Sequence, residues 1–302
     1  MSQLIECVPN FSVGRDPRVV EAIARDIAST PGVRLLDVDP EHDTNRCVMT
    51  FFGPPESVVE AATRGALAAA RLIDMRVHSG SHPRMGAADV IPFVPWSGSM
   101  AMAELCAREC ASNLERLGLG GWFYGFNDRS AHQCRRGQFE GLSEREDCDF
   151  GQPHPTAGAT AVGARGVLIA FNVNLRGTLA QARGIARRLR ESSGGLPGVR
   201  ALGWESPSYG CVQVTTNLVD WRGGTSPHEL FEAVRAEARQ LGTDTAGCEL
   251  IGMIPIAALE QAGRFYSGAE DRLLQVAVHE LGLRSVKPFL VAQKVIEVAL
   301  EA

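Results

Sequence analysis

Val167-Leu168-Ile169-Ala170-Phe171-Asn172-Val173 is the stretch on which the fold of this 302-residue chain turns, because an order of elements already seen once begins there again. A continuous apolar run of this length fits a strand buried on both faces. Behind it, Thr178 with Gln181 forms a capping box, and Leu179, Ala182, Ile185 and Leu189 line the helix that follows. Ser192-Ser193-Gly194-Gly195 breaks that helix, and Val199–Trp204 and Cys211–Leu218 read as two strands. Ser226-Pro227-His228-Glu229 is a second capping box, opening a helix with Leu230, Phe231, Val234 and Leu241 that closes at Gly242.

The first half runs in the same order. Leu4–Val8 is a strand, Pro9–Ser12 is turn-like, and Asp16 caps a helix with Pro17 at its first position. Val19, Val20, Ile23 and Ile27 share one face of that helix, and Pro31-Gly32 stops it. Val33–Val38 and Arg46–Phe52 are strands separated by the polar segment Asp39–Asn45. After Pro54-Pro55, residues Val58, Val59, Ala62, Ala66, Ala70 and Ile73 make a second helix. Two copies of strand-helix-strand-strand-helix predict an α/β (α+β) protein of two ferredoxin-like βαββα subdomains, residues 1–177 and 178–302, each with its helices on one sheet face. The pairing of the strands does not follow from this order. Between the copies, roughly residues 118–163 are irregular and rich in Gly, Asp, Arg and Gln. That is too long for an ordinary connection, which points to a functional or binding surface.

Hydrophobic residues make up 45% of the chain and charged residues 22%, an ordinary balance for a well-packed globular protein. No apolar run approaches the roughly 20 residues that span a bilayer. No targeting pattern opens the chain, so a cytoplasmic location is expected. The net charge of −5 argues against general affinity for nucleic acid or an acidic membrane. The cysteines, at 7, 47, 106, 110, 134, 148, 211 and 248, are scattered and include no Cys-x-x-Cys pair. Reduced, mostly buried thiols are expected rather than a disulfide frame or a zinc site.

Three segments carry candidate chemistry. In His78-Ser79-Gly80-Ser81-His82-Pro83-Arg84-Met85-Gly86, two histidines four apart would share one face of a helix as metal ligands. Gly80, Pro83 and Gly86 break such a helix, so no metal is expected. A structural role in a Gly-Pro loop competes with a catalytic one, which the company of Ser79, Ser81, Arg84 and Asp89 favours. Asp37–Arg46 holds an acidic cluster that could orient a histidine, bind a metal or hold an amine; taken alone, a solvated turn is the simpler account. Gly163-Ala164-Arg165-Gly166 lacks the Gly-x-Gly-x-x-Gly pattern and precedes a strand, which speaks against a nucleotide fold. It could let backbone approach a flat ring, with Asn172 and Asn174 offering amide groups.

Matches to one family run in order along nearly the whole chain. They are Ile5–Ser12, Ile73-Asp74-Met75, Gly80-x-His82-Pro83-Arg84-Met85-Gly86-Ala87 with Asp89-Val90, and Pro92-Phe93-Val94-Pro95. Gly137–Leu142, Asp149-Phe150-Gly151, Gly163-Ala164-Arg165 with Leu168–Leu175, Gly203-Trp204, Gln213-Val214, Asn217-Leu218 and Glu249–Gly252 continue the pattern. In these segments the chain resembles the glutamate formiminotransferases. The resemblance implies two related α/β subdomains with their sheets packed against each other and a substrate channel between them. It implies transfer of a formimino group from N-formiminoglutamate to N5 of tetrahydrofolate, the co-substrate, in histidine degradation. A homodimer is implied too, and the chain is expected to be the transferase unit without the cyclodeaminase domain that follows in many animal members. The family's catalytic histidine falls on His82. Its folate-binding segment falls on Gly163, Ala164, Arg165, Gly166, Val167, Leu168, Ile169, Ala170, Phe171 and Asn172. Two stretches depart from the family pattern: Glu146-Asp147-Cys148, where a segment looks shortened, and Phe126-Asn127.

On that footing His82, with an ordinary pKa of about 6.5, is the candidate base-then-acid. Asp39 is a weaker candidate to orient it. Both substrates carry carboxylates, which arginines grip bidentately, and Arg46, Arg84 and Arg165 lie in matched segments, although Arg84 could instead pair with Asp89. Formyl transfer between 5-formyltetrahydrofolate and glutamate, a non-catalytic folate-binding protein and a metal-dependent hydrolase are the competing accounts.

Overall fold

The computed structural model describes residues 3–127, 129–267 and 270–302. The chain forms two compact units that divide between Gly166 and Val167. The first contains β1 (Leu4–Cys7), β2 (Asn10–Phe11), α1 (Pro17–Ala28), β3 (Arg34–Glu41), β4 (Arg46–Gly53), α2 (Pro55–Leu72), β5 (Ala88–Ser97), α3 (Met100–Arg116), β6 (Gly120–Tyr124), the single turn α4 (Ala131–Cys134) and β7 (Ala159–Ala164). The second contains β8 (Ile169–Leu175), α5 (Leu179–Leu189), β9 (Val199–Ser206), β10 (Cys211–Leu218), α6 (Pro227–Gln240), β11 (Thr245–Ile251), α7 (Ile256–Tyr266) and α8 (Leu273–Glu280), followed by α9 (Val291–Lys294) and α10 (Ile296–Glu301).

Local chemistry starts the helices where expected. Asp16 Oδ1 accepts the Arg18 N–H (3.0 Å) ahead of α1. The Thr178–Gln181 and Ser226–Glu229 capping boxes form at α5 and α6, each satisfying donors that a helix start leaves open. Val20, Ile23 and Ile27 of α1 are buried. Gly65 of α2 lets the two helices approach, since a Cβ there would lie 3.0 Å from the Ile27 side chain.

The second sheet runs β11-β8-β10-β9, antiparallel throughout. The first repeats this arrangement. β3 pairs with β4, β4 with β1 and β2, and these with β5. β1 and β2 act as one strand interrupted at Val8-Pro9, so the turn-like Pro9–Ser12 segment is in fact part of the sheet. Each unit therefore has the ferredoxin-like order that the repeated elements imply. The first unit goes further: β7 and β6 continue the sheet beyond β5, both parallel.

Those two strands lie inside the stretch that looked irregular. Their sequences, Gly-Gly-Trp-Phe-Tyr and Ala-Thr-Ala-Val-Gly-Ala, mix strand formers with glycine and alanine, which dilutes the strand signal. Small residues are required there because backbones pass closely: a Cβ on Gly121 would sit 1.8 Å from the Thr160 carbonyl oxygen. The boundary expected after residue 177 also moves, because β8 pairs with β10 and β11 and so belongs to the second unit. β8 itself begins at Ile169, two residues later than the apolar run.

Each sheet packs one face on its helices. Ile5, Phe11, Met49, Phe51, Ile91 and Phe93 join the α1–α3 core of the first unit. Phe171, Val173, Val214 and Leu250 do the same in the second. The alternate positions carry polar groups, also buried: Glu6, Asp39, Arg46 and Thr50 in the first, Asn172, Asn174, Gln213 and Glu249 in the second. All eight cysteines are free thiols, and only Cys148 and Cys211 are not fully buried. Among the described residues no helix is long and apolar enough to cross a membrane.

Gly121→Ala forces β6 away from β7 and is expected to cost about 1–3 kcal/mol, the usual range for overpacking. Denaturant unfolding measures this; an unchanged midpoint would contradict the strand contact.

Candidate active site

Two segments that the sequence presents as separate, Asp39–Arg46 and His78–Gly86, form one structure. The Glu41 carboxylate accepts the N–H groups of Asp43 (2.9 Å) and Thr44 (2.6 Å), closing the turn between β3 and β4. The Asp43 carbonyl then accepts the Ser81 N–H (3.2 Å), and Asn45 Nδ2 donates to the Ser79 carbonyl (3.0 Å). Gly80 is needed for this contact, because a Cβ there would lie 2.0 Å from the Thr44 carbonyl oxygen. The acidic turn is thus the support of the histidine loop rather than a solvated bend.

His78 is part of that support. Its Nε2 faces the Asn45 carbonyl (3.0 Å), so it carries the proton, and Nδ1 accepts from Arg84 Nε (3.4 Å). Burial lowers its pKa, which keeps the ring neutral. Arg84 donates both terminal nitrogens to Glu140 (2.9 and 2.7 Å) and one of them also to the His78 carbonyl (3.2 Å). Its ion-pair partner is therefore Glu140, not Asp89.

Asp89 is fully buried and belongs to two other arginines. Arg46 Nη1 and Arg135 Nε both donate to Asp89 Oδ2 at 2.7 Å, while Oδ1 accepts the Met85 N–H (2.8 Å). Arg46 Nη2 donates to Asn10 Oδ1 (3.0 Å). Burial alone would raise the Asp89 pKa, but Arg135 and Arg46 hold it well below the usual carboxylate range. Two guanidinium groups around one carboxylate leave the cluster positive. Arg46 is a partner of Asp89 and Asn10 here, which its expected role as a substrate clamp did not include.

His82 sits beside this cluster, half-buried. Its Nδ1 lies 2.6 Å from the Pro83 carbonyl oxygen, which can only accept, so Nδ1 bears the proton and Nε2 the lone pair. Burial first, then the Arg46 and Arg135 charges, push its pKa down to about 3, against the pull of Asp89 and the Pro83 carbonyl. The imidazole is neutral at neutral pH and can take a proton at Nε2. Asp39 is buried on β3, opposite Val48 of β4, and its cross-strand row also includes Asn10 of β2. That places it on the face carrying Arg46. Among the described residues, no group of three His, Cys, Asp or Glu is placed to hold a metal ion.

The segment from Gly163 to Asn172 is split between the units. Gly163 and Ala164 end β7, Arg165, Gly166, Val167 and Leu168 form the link, and Ile169, Ala170, Phe171 and Asn172 begin β8. The flat ring that comes closest to Gly163 is a protein one: a Cβ there would lie 2.4 Å from the Tyr124 side chain. Arg165 donates to the Gly166 carbonyl (2.9 Å). Asn172 enters a buried network, accepting from Thr215 Oγ1 (2.6 Å) and donating to Glu249 (3.3 Å). Glu249 also accepts from Gln213 (3.0 Å) and Tyr209 (3.1 Å) and pairs with Lys287 (3.4 Å).

Comparison with known proteins identifies the family. A family model described as the N-terminal subdomain of the formiminotransferase domain matches residues 4–165, and its companion, the formiminotransferase domain, matches residues 170–301. The chain belongs to the formiminotransferase family. It is 42% identical to formimidoyltransferase-cyclodeaminase of Mus musculus over 98% of its own length and 60% of that protein. It is 37% identical to glutamate formimidoyltransferase of Streptococcus pyogenes serotype M1, covering 90% of this chain and 95% of the relative. The corresponding Thermoplasma acidophilum protein is 38% identical over 87% and 92%. The chain thus spans about 60% of the length of the bifunctional relatives that it matches.

Within this formiminotransferase fold, Arg135 had no signal in the sequence, while Glu140 and Glu249 lay in matched segments without an assigned role. Arg135 meets Asp89 across a segment without periodicity. Glu249 alternates with Cys248 and Leu250, a period-two pattern that marks it as the polar face of a strand.

Asp89→Asn leaves two enclosed guanidinium groups without their counter-charge and is expected to cost about 3–5 kcal/mol. Urea unfolding measures the loss; a change below about 1 kcal/mol would show that the cluster is not held by this carboxylate.

Proposed function

We propose that the protein is a glutamate formimidoyltransferase that moves the formimino group of N-formiminoglutamate to N5 of tetrahydrofolate, with His82 as the proton carrier. The observation that carries this is the neutral His82 ring, its tautomer set by Pro83 and its surroundings by Asp89, Arg46 and Arg135. Family membership and relatives named as glutamate formimidoyltransferases that match nearly end to end support the same reaction.

N5 attacks the amidine carbon and forms the new C–N bond. His82 Nε2 takes the proton from N5 in that step. The resulting imidazolium stands beside two guanidinium groups, so it is a strong acid and readily gives the proton to the glutamate nitrogen as the old C–N bond breaks. A ring with a depressed pKa is a weak base, and the anionic substrates correct for this: carboxylates near a cationic cluster raise the pKa of a neighbouring imidazole toward neutrality. Asp39, on the polar face of the same sheet, steadies positive charge during the transfer. Residues 163–172 and Arg165 are assigned to folate, and Arg46 and Arg84 act on substrate through the positions they fix. The protein is read as cytoplasmic, and as a homodimer, which the family resemblance implies.

Supplying N-formiminoglutamate and tetrahydrofolate is expected to yield 5-formiminotetrahydrofolate, and His82→Ala to lower kcat by about 10²–10⁴. A parent protein without turnover sinks the assignment. Full activity in His82→Ala sinks the mechanism.

A further inference from the structure

His154 takes no part in the chemistry described above. It lies between two prolines, in Gln152-Pro153-His154-Pro155-Thr156, and opens a turn that closes on itself. The His154 N–H donates to the Gly158 carbonyl and the Gly158 N–H to the His154 carbonyl, both at 2.8 Å. The half-buried ring folds back over this turn. Its Nδ1 accepts the backbone N–H of Ala157 (3.1 Å), that of Thr156 (3.3 Å) and the Thr156 hydroxyl (3.3 Å). Pro155 has no N–H, so these are the first two backbone donors after His154. Asparagine and aspartate oxygens close turns in the same way, two residues on. A backbone N–H can only donate, so Nδ1 is unprotonated and Nε2 bears the proton. That is the opposite tautomer from His82, whose Nδ1 carries the proton.

The end of the histidine loop rests on this turn. The Ala87 N–H donates to the Ala157 carbonyl (2.8 Å), and the Ala159 N–H to the Met85 carbonyl (3.1 Å). Gly86 bridges to Gly158, and the approach is so close that a Cβ on Gly158 would lie 2.1 Å from the Met85 carbonyl oxygen. The Thr156 carbonyl also accepts the Met75 N–H (2.8 Å), which ties the turn to the end of α2. From the other side, the Ser12 hydroxyl donates to the Gly86 carbonyl (2.7 Å) and the Ser12 N–H to the Ala87 carbonyl (2.8 Å). The Met85 N–H completes the set on Asp89 (2.8 Å). Residues 85–87, which begin three places after His82, are thus held from two sides, and one side is the turn that His154 closes.

We propose that His154 is a positioning residue for His82: its ring, accepting at Nδ1, sets the 154–158 turn, and the turn sets the path of Met85–Ala87 and with it the place of the His82 imidazole. The proposal rests on the assignment of His82 as the proton carrier. His154 acts through the backbone and not on the reacting atoms. A proton carrier moved by about 1 Å can lose on the order of 10²-fold in rate, so a fixed loop end matters to the chemistry as well as to the fold.

His154→Ala removes the acceptor, and His154→Asn returns one at nearly the same place. With N-formiminoglutamate and tetrahydrofolate, His154→Ala is expected to lower kcat about tenfold or more while each KM changes less than about twofold, because the reacting geometry moves and the binding groups do not. His154→Asn is expected to stay within about threefold of the parent kcat, since its side-chain oxygen accepts the same N–H groups. Parent kcat in His154→Ala overturns the positioning role, and an Asn variant as slow as the Ala variant overturns the part played by the acceptor. Nuclear magnetic resonance of the ring nitrogens in the ligand-free parent needs neither turnover nor a variant that folds. It is expected to show His82 protonated on Nδ1 and His154 on Nε2. A His154 ring protonated on Nδ1 contradicts the turn and removes the proposal. In His154→Ala the His82 ring nitrogens are expected to shift, and in His154→Asn to return to their parent positions. These spectra keep the positioning role even if no transferase turnover is found. Turnover in the parent with a His82 ring unmoved in His154→Ala removes that role and leaves the reaction standing.

Discussion

The first unit depends on one buried carboxylate. Asp89 receives the backbone N–H of Met85 on one oxygen and two guanidinium groups on the other, so a single side chain joins β4, the histidine loop and the turn α4. Without Asp89, Arg46 and Arg135 lose their counter-charge, and removing one partner is the costly way to break a buried pair. The same cluster sets the electrostatics of the loop. Burial first, and then the cluster's excess positive charge, hold His82 neutral, and that charge draws carboxylates toward the loop, so stability and chemistry share the same atoms.

The second unit follows the same plan with a different balance. Glu249 is nearly as buried as Asp89, but amides, a phenol and Lys287 replace two arginines. Asn172, Gln213, Trp204 and Tyr209 are linked through this carboxylate and its neighbours, with Trp204 Nε1 donating to Gln213 Oε1 (2.8 Å). A network of this kind is worthwhile only when every member is satisfied, and here each carboxylate and amide at its centre has partners. Each sheet thus has an apolar face for folding and a polar face in which side chains are held at fixed positions.

Much of this was legible in the sequence because it depends on local rules. The capping residues Asp16, Thr178 and Ser226, and the apolar spacing behind them, place the helices without tertiary information. The repeat of element order then leads to the fold of each unit. What could not be read depends on contacts distant in the chain. β6 and β7 carry glycine at 120, 121 and 163 because of the backbones and rings beside them, and no window of their own sequence says so. His82 stood out through its loop and the family resemblance, but its neutral state comes from burial in the fold and then from Arg46 and Arg135, both distant from it in the chain. Arg46 and Arg84 were visible as arginines in matched segments, while their partners Asp89 and Glu140 were fixed only by the fold.

The central claim is that His82 is a neutral imidazole held below its ordinary pKa by burial and by its two arginine neighbours. A depressed histidine pKa means that the unfolded chain binds the proton more readily between about pH 6.5 and pH 3. The contribution of His82 to stability is therefore present above about 6.5 and lost as pH falls toward 3. Nuclear magnetic resonance of the His82 ring in the ligand-free protein tests this most directly. The account predicts no titration between pH 8 and about 5, with Nδ1 protonated throughout, and an upward shift of the midpoint when glutamate is added. A midpoint near 6.5 in the free protein, unmoved by glutamate, would contradict it.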